Sequence, residues 1–105
     1  MEKQVDARAG NWRKRYAVQF IAHFNDKDWK WLRRQPGGTK SDRAYTFQSF
    51  QDARKGGRLR GGPRHCFPHD GPSSGWCDVT NGDWYGLLFT KTPQGIRVDQ
   101  LLLQD

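Results

Sequence analysis

Glutamate is almost missing from this chain of 105 residues: Glu2 is the only one, and every other acid is an aspartate. The H-E-x-x-H zinc motif is absent, as are the G-x-S-x-G nucleophile elbow and the glycine-rich Walker loop, so the common hydrolase and nucleotide-phosphate fingerprints are excluded. No run of eighteen apolar residues is present and no basic start leads into an apolar stretch, which argues against a membrane span or a secretory signal and favours a cytoplasmic protein. Cysteine is scarce. Cys66 and Cys77 stand eleven residues apart, and without an export signal they read as reduced thiols, although a bridge would need only a close approach of their Cα atoms. Neither an internal repeat nor a heptad is visible. Apolar residues make up only 34%, and the mean hydropathy of -0.99 leans toward compositions that fail to build a core.

Aromatic residues compensate. Five Trp, six Phe and three Tyr each bury a large area, and a chain of this length has room for one domain with one core. The other conspicuous feature is the distribution of charge. Residues 1–64 hold sixteen Lys and Arg against six Asp and Glu, whereas residues 65–105 hold two against five. A basic first part joined to a mildly acidic second suggests a positive surface turned toward a polyanion or an acidic protein.

Taken in order, residues 1–11 have no sustained period and read as a flexible N-terminal arm, leaving residues 12–105 as a single domain. Tyr16, Val18, Phe20, Ala22 and Phe24 alternate with Ala17, Gln19, Ile21 and His23, a period of two that predicts a central strand. After the polar turn 25–28, Trp29, Trp31 and Arg33 alternate with Lys30, Leu32 and Arg34 in a second strand, and Ala44 to Phe47 makes a third. Ser49 to Asp52 has the S-x-x-D form of a capping box, so a short helix is expected from Phe50 to Lys55, with Phe50 and Ala53 inward and Gly56-Gly57 at its end. The span 56–83 holds much of the Gly and Pro and reads as a long loop. Trp84 to Lys91 and Ile96 to Leu103, joined by Thr92-Pro93-Gln94-Gly95, form a closing hairpin. The fold class expected is α+β: a small antiparallel sheet of four to five strands with one short helix on one face and a long Gly/Pro-rich loop. Three strands followed by a helix opened by S-x-x-D-A give residues 12–55 a layout that resembles the three-stranded DNA-binding domains of plant ethylene-response factors and the arm-binding domains of phage integrases. That resemblance implies contact with nucleic acid.

Three groups of residues have chemistry to offer. The first is basic: Arg54, Lys55, Arg58, Arg60 and Arg64, spaced by glycines, with Lys30, Arg33, Arg34, Lys40 and Arg43 before them. Arginine forks match phosphate oxygens in pairs, and Trp29 or Trp31, if exposed, would stack on unpaired bases. The second is the set His65, Cys66, His69 and Cys77, donors of the right kind for zinc but lacking the two paired knuckles of structural sites. The third is the pair His65 and His69 as acid and base for metal-independent RNA cleavage, beside an arginine that holds phosphate. His23, inside the best periodic segment, reads as a packed residue. The leading expectation is a non-enzymatic basic module that contacts nucleic acid mainly through phosphate and needs no cofactor. An accessory protein binding an acidic protein partner is the alternative, and a small ribonuclease comes third.

Overall fold

The computed structural model describes the backbone of residues 2–104 and the side chains of residues 11–104. The expected N-terminal arm, residues 1–11, falls almost wholly outside the residues whose side chains are described. Three helices come first, α1 (Glu2–Asn25), α2 (Trp29–Arg33) and α3 (Lys40–Lys55). Four strands follow, β1 (Arg64–Phe67), β2 (Ser74–Thr80), β3 (Trp84–Thr92) and β4 (Gly95–Gln104), in an antiparallel meander with spatial order β1-β2-β3-β4. The protein is thus α+β, with a four-stranded antiparallel sheet and, over the described residues, three helices where one was expected. None of the helices, over the described residues, is long and apolar enough to cross a membrane.

The first two expected strands are helical. Residues 12–24 support two periods at once, and the core selects the helical one: Trp12, Tyr16, Ala17, Phe20, Ile21 and Phe24 are buried, while Val18, which strand alternation would place beside Phe20, is 50% exposed. Trp29–Arg33 forms one short helix because Asp28 caps it, its carboxylate accepting from the backbone N–H of Trp31. The expected strand 44–47 lies inside α3, which starts well before the capping box at Ser49. An equivalent box operates at Thr39, whose hydroxyl accepts from the N–H of Asp42 while the Asp42 carboxylate accepts from the N–H of Thr39. The expected end at Gly56 matches, and Phe50 and Ala53 do face the core. With residues 12–55 helical, the three-strand layout that resembled the plant and phage domains is not there.

Within the span 56–83, strands β1 and β2 occupy residues 64–67 and 74–80. The pattern behind β2 is plain once its boundaries are known: Gly75, Cys77 and Val79 point into the core, and Ser74, Trp76, Asp78 and Thr80 point the other way. Cys66 and Cys77 are not free thiols. They form a disulfide between the neighbouring strands β1 and β2, with Cα atoms 4.2 Å apart. Both expected hairpin strands are present, as β3 and β4, around the expected turn.

The helices cover one face of the sheet. Phe20 of α1 meets Phe50 of α3 edge-on at 5.1 Å, and Trp12 and Tyr16 pack on Phe89 of β3 at 5.7 and 5.1 Å. Arg13 is buried with them, and its guanidinium is satisfied by the carbonyls of Ser74 and Pro72 at 2.6 and 2.8 Å and by the ring of Trp12. This contact pins the segment before β2 to the first helix. Among the described residues, no helix lies against the other face of the sheet.

Candidate functional site

The functional geometry follows from how the chain leaves α3. Gly56 and Gly57 end the helix, and residues 58–63 must then run to the start of β1. That run is tied down at several points. Asn25, the last residue of α1, donates through Nδ2 to the carbonyl of Leu59 at 2.9 Å and accepts the N–H of the same residue at 2.7 Å. Leu59 is thereby held in the core, and its neighbours Arg58 and Arg60 are left exposed. The N–H of Arg60 donates to the carbonyl of Thr80 at 2.7 Å, and Asn81, buried in the turn between β2 and β3, donates to the carbonyl of Ala53 at 2.9 Å. The C-terminal ends of α1 and α3, the 58–63 run and the β2–β3 turn therefore meet at one end of the molecule.

Six cations gather there. Lys27, Arg54 and Lys55 line a groove of about 360 Å³ together with Trp29, Gln48 and Gln51. Arg54 also donates to the carbonyl of Asn25 at 3.1 Å, and its Nε is buried without a partner among the described residues. Arg58 and Arg60 follow, exposed, on the run out of α3, and Arg64 opens β1 with its guanidinium 5.8 Å from the ring centre of Trp84, which is 41% exposed. Asp52, 3.7 Å from Lys55, offsets part of this charge.

Apart from Trp29, which lines this groove, the other expected binding residues lie elsewhere. Arg33 stands over the ring of Phe47 at 4.3 Å, Arg34 caps the end of α2, and Lys30 is exposed on α2. Lys40 and Arg43 are in the first turn of α3, and Arg43 is engaged with the carbonyl of Gly38. At about 1.5 Å per helical residue, Arg43 is roughly 16 Å along the axis from Arg54. Trp29 and Trp31 are half-buried: Trp31 stacks on His23 at 4.0 Å, and Trp29 meets Phe47 edge-on. His23 is packed and paired, its Nδ1 2.9 Å from Asp28, and this contact, followed by the Trp31 N–H, holds the Asp28 carboxyl below its ordinary value.

Aromatic residues that the sequence did not point to stand on the open sheet face, the exposed Phe67 and Trp84 and the half-buried Trp76, while Tyr45 is exposed on α3. Phe67 and Trp76 stack at 6.3 Å, His69 tilts against Trp76 at 5.4 Å, and Trp84 lies at the basic end. The outward alternation of Trp76 with Cys77 and Val79 was the available signal, masked by surrounding glycine and proline. Asp78 is the polar centre of this face: its Oδ1 accepts from Trp76 Nε1 at 2.8 Å and Gln104 Nε2 at 3.1 Å, and its Oδ2 is 3.7 Å from Nδ1 of His65. His65 and His69 line different clefts, so the two histidines do not act on one atom. The disulfide takes both sulfurs out of the expected zinc set, and among the described residues no three His, Cys, Asp or Glu side chains are gathered. Comparison with protein-family models, with curated proteins and with solved structures returned no match for this chain.

Proposed function

We propose that the protein binds nucleic acid, mainly through phosphate, at the end of the molecule formed by Lys27, Arg54, Lys55, Arg58, Arg60 and Arg64. The observation that carries this reading is the groove lined by Lys27, Arg54 and Lys55, from which the exposed Arg58 and Arg60 lead along the chain to Arg64 beside the indole of Trp84. Phosphates take the guanidinium forks, and an unpaired base takes the exposed part of the Trp84 indole, a stack typically contributing about 1 to 3 kcal/mol. Single-stranded nucleic acid is therefore favoured over duplex, whose stacked bases leave Trp84 nothing to cover.

Titration of a mixed-sequence single strand at several salt concentrations tests the proposal. Affinity should fall steeply with salt, and replacing Arg58, Arg60 and Arg64 by Ala should reduce the slope of log K against log salt by about 1 for each phosphate that is no longer neutralised. Absent or salt-insensitive binding would overturn the reading and leave an acidic protein as the partner for the same rim. As to location, the Cys66–Cys77 disulfide favours an oxidising compartment over the cytoplasm suggested by composition.

A further inference from the structure

The rim of cations ends at a cleft of about 310 Å³ lined by Arg64, His65, Asp78, Trp84 and Gln104. Binding does not need what stands there. The imidazole of His65 is 76% exposed, and the residue holds φ at 51° where the β1–β2 register shifts, a left-handed conformation that histidine adopts in such a bulge more readily than most residues. This bulge leaves Nδ1 of His65 3.7 Å from Asp78. Asp78 in turn is only 20% exposed and is fixed through its other oxygen by Trp76 and Gln104. The carboxylate is held through one oxygen, and its other oxygen faces one nitrogen of an exposed imidazole at a distance longer than a hydrogen bond; closing that gap on a bound substrate orients the ring and leaves Nε2 for the reaction.

Resting on the binding reading above, we infer that this cleft is a metal-independent ribonuclease site in which His65 is the general base and Asp78 its positioning residue. With a base over Trp84 and the phosphate against Arg64, Nε2 of His65 takes the proton of the 2′-hydroxyl. The 2′-oxygen attacks phosphorus, the bond from phosphorus to the 5′-oxygen breaks, and the leaving oxygen takes its proton from solvent water. His65 then returns its proton to solvent. Arg64 neutralises the charge that builds on the phosphorane. The products are a 2′,3′-cyclic phosphate and a 5′-hydroxyl, with no oxidation and no metal. DNA, which lacks the 2′-hydroxyl, binds at the same cleft and is not cut.

The test is incubation of the purified protein with an end-labelled single-stranded RNA and the matching DNA, both with chelator. Cleavage of the RNA alone, leaving cyclic phosphate ends, is the expected result. His65→Asn is the informative variant, because asparagine accepts the left-handed backbone that alanine would strain, and it should slow cleavage by about 100-fold or more at an unchanged thermal midpoint. Asp78→Asn should slow cleavage less, and Asp78→Glu should recover part of the rate, a rescue that a purely structural role would not produce. RNA that binds with a salt-dependent affinity but stays intact overturns this inference and leaves the binding reading in place; so does cleavage at the wild-type rate by His65→Asn. RNA that fails to bind overturns both.

Discussion

Gly86 shows how tightly single residues are specified on the open face of the sheet. A Cβ at this position would overlap the benzene edge of the Trp76 indole, which lies across the strand on top of it. Glycine is needed here for space, since its backbone is ordinary strand. Gly86→Ala should therefore displace Trp76 from Phe67 and from its hydrogen bond to Asp78, costing about 1 to 3 kcal/mol. A thermal melt reads this as a midpoint lower by roughly 4 to 8 °C per kcal/mol. Tyr16 is specified from the other side of the sheet. Its hydroxyl donates to Gln35 at 2.7 Å, and burial pushes the phenol well above the ordinary value of 10.0. The neutral phenol is favoured in the fold, so its contribution to stability is complete below about pH 10 and is lost as pH rises from there toward the folded value. Tyr85, also raised by burial, acts in the same direction. Tyr16→Phe should cost about 1 kcal/mol at neutral pH for the missing hydrogen bond and should show a shallower decline in urea-unfolding free energy above pH 10 than the wild type.

At the scale of elements, the legible parts were those whose local signals agree. The β3–β4 hairpin has a Pro-containing turn flanked by alternating residues, and both pointed to the strands found. In the first half the signals conflicted. Trp12, Tyr16, Phe20 and Phe24 satisfy alternation and helical spacing equally, and the burial of Ala17 and Ile21 with the exposure of Val18 and Ala22 separates the two. Thr39-x-x-Asp42 and Ser49-x-x-Asp52 are equivalent caps on paper; Gly38, with φ at 95°, turns the chain just before the first, whereas Ser49 lies mid-helix and donates back to the Tyr45 carbonyl. The run after α3 depends on Asn25, which satisfies both backbone groups of Leu59. Asn25→Ala should leave those groups without partners, cost about 1 to 3 kcal/mol, and increase amide exchange at residues 58–60 in hydrogen-exchange measurements.

For the whole molecule, the excess of positive charge in residues 1–64 was visible, but its division was not. Two sets of cations are separated along α3. Lys40 and Arg43 belong to its start, and Arg54 and Lys55 to its end, where the 58–64 arginines join them. If binding is confined to that end, Lys40→Ala with Arg43→Ala should leave the salt slope of nucleic-acid binding unchanged, while Arg58→Ala with Arg60→Ala lowers it by about 2. Equal effects from the two pairs would mean a ligand wrapped along the helix.

The α+β class, the closing hairpin, the glycine stop at residue 56 and the cluster of arginines between 54 and 64 were legible from residue order, because each rests on local stereochemistry or on composition. Tertiary structure decided the period of residues 12–24, the pairing of Cys66 with Cys77, the burial of Trp29 and Trp31, and the meeting of His65 with Asp78. Those depend on which side of each segment finds a partner, and the partners come from other elements of the chain. The aromatic residues given to nucleic acid accordingly change from the α2 tryptophans, half-buried against α1 and α3, to Trp84 on the sheet face that no described helix covers.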